Sequence, residues 1–301
     1  MSVGANAIDL VREPVYGAGA AFFVGGSIHM RDGDGFVYVV NTHGYVDEVL
    51  ESLASLRRHH PSAPVTIITH AELFRQGLPN VEWMELSQQY DGPIVKIECI
   101  RVSYKRAVFL DSDTRVIGDL GDLFDVLDGF DMALAHEMFR GWDYKTPAAK
   151  AFCELSTGLI AFTTTPQMHE FFAEWRDTYD RMLKTLGLRA DQSSFRETLW
   201  HRRDLRHATL PSEYHFIANT GNATAWDVRL LHGRQDLAAL EKAINRDLGP
   251  RVFAPGFGMI TSPSGRKARI KVFLRMFRAL VSSLRTASPL KSRATPVEWW
   301  R

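Results

Sequence analysis

Residues Arg106–Gly118 read RAVFLDSDTRVIG: an apolar run, Ala107–Leu110, delivers Asp111, Ser112 and Asp113 at its end. Strand side chains alternate between faces, so a straight strand predicts both carboxylates on one side. Paired carboxylates suit a hard divalent cation, the usual partner of oxygen ligands beside phosphates. The loop after a buried strand is also where open α/β sheets hold nucleotides. Asp clusters occur in ordinary turns too, so the flanks decide. Ile94–Tyr104 (IVKIECIRVSY) predicts an amphipathic helix directly before the strand. Asp119–Leu127 (DLGDLFDVL) predicts a helix after it, with acids in the first turn where the helix dipole favours them.

Outward from this module, strand and helix patterns alternate. Phe36–Asn41 (FVYVVN) reads as a buried strand and Tyr45–Arg58 as an amphipathic helix. Val65–Thr69 and Val81–Leu86 read as further strands. Later, Leu159–Phe162 predicts a strand, Gln167–Leu186 and Ala190–Trp200 helices, and Leu210–Tyr214 and Val228–Leu231 short strands. Such alternation predicts an α/β fold with a mostly parallel central sheet flanked by helices. The Asp32–Gly35 stretch (DGDG) reads as a turn, since the remaining ligands of a calcium loop do not follow it. No internal repeat or low-complexity linker interrupts the chain before residue 262.

Length and composition set the outer limits. With 301 residues, 45% of them hydrophobic, the chain can bury a substantial core. Net charge is close to zero, yet residues 263–301 carry ten Lys/Arg against the single acid Glu298, which leaves the body acidic. Cys99 and Cys153 both lie in apolar surroundings and predict free thiols in a reducing compartment. No apolar stretch is long enough to span a bilayer. Ala18–Ile28 lacks a preceding basic region and a clear cleavage site, so no secretory signal is expected. These features predict a cytoplasmic protein, able to sit peripherally at the inner membrane face. No nucleic-acid recognition motif accompanies the basic tail, and no nucleic-acid partner is expected.

At this point the residues carry a resemblance. The chain resembles the nucleotide-sugar glycosyltransferases that combine a Rossmann-like fold with an Asp-x-Asp motif, glycosyltransferase family 8 above all. Five features match in order: Lys96 within IVKIECI, the block FLDSDTRVIGDLGDLF, the segment LSTGLIAF at Leu155–Phe162, Asp191-Gln192, and Leu210-Pro211 followed by His232-Gly233. They span about residues 36–235. The resemblance implies a single nucleotide-diphospho-sugar transferase domain over residues 35–262, after an irregular segment 1–34. It implies a metal, manganese (or magnesium), held by Asp111, Asp113 and His232; a hydrogen-bonded turn histidine is the other reading of His232. It implies a nucleotide-sugar donor, UDP-linked in the first instance, and a glycan or lipid-linked acceptor.

The same resemblance distributes the remaining roles. Asn41, Thr42 and Tyr45 would hold the base and ribose, with Ser112 approaching the ribose. Lys96 would contact a donor phosphate or hydroxyl, unless it is a solvated helix lysine. Ser156, Thr157 and Gly158 would line the donor sugar, the glycine allowing close backbone approach. Asp191 and Gln192 would act beside the reacting carbon, as nucleophile or as electrostatic support, in an enzyme that retains configuration. Asp191 also stands where it could cap a helix beginning at Gln192.

The chain departs from the family as well. His232-Gly233 are adjacent and lack the following Lys-Pro-Trp run, with Arg234 offering a phosphate fork instead. Ser156 replaces the family's Asn. A non-catalytic nucleotide-sugar-binding protein of the same fold is the alternative function. LDSDTRV also superficially resembles the haloacid-dehalogenase-like phosphatase motif, but Arg115 stands where that motif needs Thr or Val.

Within Arg269–Arg285 the apolar Ile270, Phe273, Leu274, Phe277, Val281 and Leu284 recur at helical steps, with Lys271, Arg275, Arg278 and Arg285 mostly on other faces. This predicts a C-terminal basic amphipathic helix able to lie on an anionic membrane surface through residues 265–286, helped by Trp299 and Trp300. Packing on the acidic body is the other reading of that helix.

Overall fold

A computed structural model describes residues 32–261, apart from 91, 138–145, 247 and 255–257, together with 274 and 277. The chain forms β1 (Asp34–Val39), α1 (His43–Arg57), β2 (Val65–Thr69), β3 (Val81–Glu85) and β4 (Arg106–Leu110). Next come β5 (Thr114–Val116), α2 (Asp122–Val126), β6 (Met132–Ala135), β7 (Leu159–Thr163), α3 (Pro166–Leu186) and α4 (Asp191–His201). They are followed by β8 (His207–Leu210), β9 (Phe216–Ile217), β10 (Asn222–Thr224), β11 (Leu230–His232), α5 (Leu237–Ile244), β12 (Arg251–Ala254) and β13 (Gly258–Thr261). The main sheet has seven strands in the order β3-β2-β1-β4-β7-β6-β8. Only β7 runs against its neighbours, so the sheet is mostly parallel, as expected.

Both faces of this sheet are covered, which is why β1 is buried along its whole length. Phe36, Tyr38, Val108 and Leu110 pack against Val46, Val49, Leu53 and Leu56 of α1 and Leu123 and Phe124 of α2. The alternate residues Val37, Val39, Phe109 and Phe162 meet Met168, Phe171, Phe172 and Trp175 of α3. The three- and four-residue spacing of those side chains makes α3 amphipathic. Thr165 caps its start by accepting from the Met168 amide, and Gly187, at φ 62°, closes its end.

Several expectations are corrected. Ile94–Tyr104 is not an amphipathic α-helix; Pro93–Arg101 forms a 3₁₀ segment whose residues 94–100 are all buried. The pattern misled because Lys96 and Glu98 look solvent-facing, whereas both are buried and partnered. Glu98 accepts hydrogen bonds from Ser87, Tyr90 and Arg101. Leu210–Tyr214 is not a strand: β8 ends at Leu210, Pro211 follows, and Ser212–Tyr214 is a 3₁₀ turn. The turn at Asp32–Gly35 stops short, since Asp34 already opens β1 and accepts a bidentate pair from Arg106 at 2.7 Å. The irregular segment 1–34 otherwise lies outside the described residues. So does the basic tail 263–301 except for Leu274 and Phe277, which are helical and exposed. No described helix is long and apolar enough to cross a membrane.

Candidate functional site

β1 lies between β2 and β4, and β4 is the strand after which the main sheet continues with the reversed β7. The carboxyl ends of β1 and β4 therefore frame the crevice where open α/β sheets take ligands. Asp111, Ser112 and Asp113 occupy the turn between β4 and β5. Their carboxylates converge because of that turn rather than by the alternation of a straight strand, which corrects the expected geometry. A chain of buried hydroxyls pins the turn from below. Tyr38 meets Ser52 at 3.0 Å, Ser52 meets Thr114 at 2.8 Å, and Thr114 donates to the Asp111 carbonyl at 2.8 Å.

A second, three-stranded sheet, β5-β11-β9, brings His232 to this turn. The antiparallel register sets His232 opposite Thr114, and the Gly233 amide donates to the Asp113 carbonyl at 3.0 Å. Nε2 of His232 thus lies 3.1 Å from Asp113 Oδ1 and 3.7 Å from Asp111 Oδ2. One ligand atom from each of the three residues falls within 4.8 Å of the others. Two carboxylates and an imidazole form a donor set suited to Mn²⁺. Burial works against charge on His232, but Asp113 and then Asp111 outweigh it and raise its pKa. Burial also raises Asp111, with Lys96 and His232 opposing and the neighbouring carboxylates of Asp113 and Asp191 adding. Asp113 is held well below the usual carboxylate range: burial opposes this, but His232 and Arg234 overcome it. These residues fit a divalent cation.

Lys96 adjoins the acids from the 3₁₀ segment. Its amino group lies 2.8 Å from Asp191 Oδ2 and 3.2 Å from Asp111 Oδ2, with the side chain only 8% exposed. It is therefore not a solvated lysine. Burial disfavours its charge, but Asp111 and Asp191 more than offset that and raise its pKa. Asp191 also accepts from the Thr157 hydroxyl at 2.6 Å. Against the cost of burial, Lys96 and then Thr157 keep its pKa low. Asp191 does not cap a helix at Gln192; α4 begins at Asp191 itself, with Ala190 in the cap position. The Asp191 backbone carbonyl is held by Trp175 Nε1 of α3 at 3.2 Å and by Ser194 at 2.8 Å. Gln192 stands half-buried in the first turn of α4.

Ser156, Thr157 and Gly158 enter β7 beside the acids, the Gly158 carbonyl accepting from the Asp111 amide at 2.9 Å. A Cβ at Gly158 would stand 2.5 Å from His232 and 2.7 Å from His215, so no side chain fits there without displacing the imidazoles. Ser156 is buried, and its hydroxyl has no hydrogen-bond partner among the described residues. On the other flank, the Arg234 guanidinium lies 5.2 Å over the Tyr45 ring and bonds Glu48 at 3.0 Å. Ser112 donates to Glu48 as well, at 2.7 Å. Asn41 is half-buried and Thr42 exposed at the α1 N-terminus, where Thr42 makes no side-chain cap bond. Gly233 has φ 131°, a conformation glycine favours.

Two residues at the site were missed in the sequence. Glu48 lies one helical turn after Tyr45, and that spacing could have found it. His215 stacks on His232 with ring centroids 4.7 Å apart, and no local pattern announces this. Burial and then His232 hold its pKa well below the usual histidine value.

The helix-covered, mostly parallel sheet with its acidic turn at a carboxyl edge defines the Rossmann-like fold seen in glycosyltransferases. Among solved structures, the chain is similar to the galactosyltransferase LgtC in complex with donor and acceptor sugar analogs. The TM-score is 0.51 at 11% identity, covering 67% of this chain and 87% of that one. An active-site mutant of LgtC gives a TM-score of 0.51 at 12% identity, covering 88% and 98%. The bifunctional glycosyltransferase WbbM in its apo form gives 0.48 at 17% identity, covering 69% and 47%. No family model and no curated protein matches the sequence.

Proposed function

We propose that this chain is a metal-dependent glycosyltransferase. It moves a hexose from a nucleotide-sugar, UDP-linked in the first instance, to a glycan or lipid-linked acceptor, with retained configuration. The observation that carries this reading is the convergence of Asp111, Asp113 and His232 within 4.8 Å, at the carboxyl edge of a Rossmann-like sheet. A divalent cation held by these three residues supplies charge neutralisation for the departing nucleoside diphosphate. Arg234 offers its planar fork to phosphate oxygens, and Tyr45 its ring to the base. Ser112 approaches the ribose once Glu48 releases it. Ser156, Thr157 and Gly158 line the sugar. Asp191 is ionised, buried and tied at Oδ2 to both Lys96 and Thr157. A carboxylate so engaged acts as fixed negative charge beside an oxocarbenium-like centre rather than as a free nucleophile. Gln192 follows it toward the acceptor.

The test is a thermal-shift panel of UDP-, GDP-, dTDP- and CMP-sugars with and without Mn²⁺, followed by donor hydrolysis on the stabilising sugar. A Mn²⁺-dependent shift and slow hydrolysis, both lost in Asp111→Asn and Asp113→Asn, support the transferase. Binding with no hydrolysis under any condition points instead to the non-catalytic nucleotide-sugar binder. The body and the basic tail also make a peripheral membrane role testable. Equal pelleting of the full chain and residues 1–262 with anionic vesicles would end that part of the reading.

A further inference from the structure

His232 presents Nε2 to Asp113 and Asp111. A neutral imidazole has one N–H and one bare nitrogen, so a bare Nε2 requires the hydrogen at Nδ1. Ligating histidines are generally fixed in one state by a partner on the other ring nitrogen. Nδ1 of His232 is buried and makes no hydrogen bond among the described residues. The ring of His215 lies against it, tilted by 40° and only 2% exposed, with both of its own nitrogens in the same condition. Gly158 shows where the nitrogens point. The position of a Cβ on that glycine is 2.8 Å from His232 Nδ1 and 2.7 Å from His215 Nε2. Buried nitrogens without partners are costly, and here two of them converge on one corner.

The backbone holds His215 there independently of any ligand. Its amide donates to the Ser212 carbonyl at 3.2 Å. It directly precedes β9, where Ile217 is registered against His232 of β11. Resting on the metal reading above, we propose that His215 is a positioning residue: its Nε2 accepts the Nδ1–H of His232 and so holds Nε2 of His232 toward a cation between Asp111 and Asp113. Glycine at 158 lets the two rings approach.

The test uses the full chain and Mn²⁺ alone, without donor. His215→Phe keeps a ring in the stack and removes both nitrogens, while His215→Gln restores an acceptor. Calorimetry should show Mn²⁺ binding weakened about 10- to 100-fold in His215→Phe, the range typical for loss of a ligand's supporting partner. His215→Gln should recover most of it, and both variants should melt like the wild type at neutral pH without metal. A folded His215→Phe that binds Mn²⁺ with wild-type affinity overturns the proposal. If that variant does not fold, ¹⁵N shifts of His232 in the metal-free wild type, at alkaline pH, decide. Hydrogen on Nδ1 sustains the role of His215; a mixed or reversed tautomer overturns it. Absence of Mn²⁺ binding by the wild type would defeat the metal reading, while the tautomer readout would still judge His215.

Discussion

Lys96 is the residue on which the charge balance of the site turns. It is buried between Asp111 and Asp191, so removing its charge leaves two carboxylates facing each other in a poorly solvated place. Breaking a buried pair from one side typically costs about 3–5 kcal/mol. Lys96→Met should therefore lower the metal-free melting temperature by many degrees. Mn²⁺ should then stabilise the variant more than the wild type, because a cation relieves Asp111. Equal Mn²⁺ shifts in the two proteins would show that Lys96 and the cation position are not electrostatically linked. Gly158 makes the complementary case by volume. A methyl group at 2.5 Å from His232 must push the rings aside, and overpacking of this kind costs about 1–3 kcal/mol. Gly158→Ala should lose that stability and weaken Mn²⁺ binding at least about tenfold, the lower end for a disturbed ligand environment. Unchanged affinity by calorimetry would mean that His232 does not bind the cation.

At the scale of elements, α3 and α4 act as one unit that aims Asp191. Trp175, fully buried on α3, donates to both the Asp191 carbonyl and the Ser194 hydroxyl at the start of α4. Trp175→Phe removes that donor and some packing, for a cost of about 1–3 kcal/mol. Because Asp191 is outside the set of cation ligands, the variant should lower kcat for donor hydrolysis and leave Mn²⁺ affinity unchanged. A parallel loss of both would place α4 under the metal residues instead. Elements such as α3 and β4 were legible in the sequence, since local spacing, Pro166 and Gly187 decide them. The 3₁₀ segment was not, because Lys96 and Glu98 mark a solvent face only when their partners are out of reach. Those partners lie on other elements. The meeting of His232 with Asp113, 119 residues apart, was reached by resemblance rather than by pattern. It depends on the β5–β11 register, which no nearby residue encodes, and His215 was missed for the same reason.

The whole molecule carries opposed proton linkages that separate the site's histidines. Burial, followed by His232, depresses the pKa of His215; burial also depresses His60, with Asp119 opposing, and His207. The unfolded chain takes up these protons below about pH 6.5 while the folded chain resists them. Their contribution is therefore full above that pH and is lost as the solution is acidified, with a slope of up to about 1.4 kcal/mol per pH unit for each histidine. His232 has the other sign. Burial lowers its pKa, but Asp113 raises it further, to a net value above the ordinary one. Its stabilisation is present below about pH 6.5 and disappears as pH rises through its folded value. Mn²⁺ requires the deprotonated ring, so the extra stability given by a fixed Mn²⁺ concentration should grow with pH across that same interval. Thermal melts from acid to alkaline pH, with and without Mn²⁺, read both effects. His215→Phe should flatten the acid limb of the metal-free curve by about one proton's slope. It should leave intact the direction in which the Mn²⁺ increment changes. An increment independent of pH in the wild type would remove His232 from the cation's ligands, and with it the convergence of residues on which the transferase reading stands.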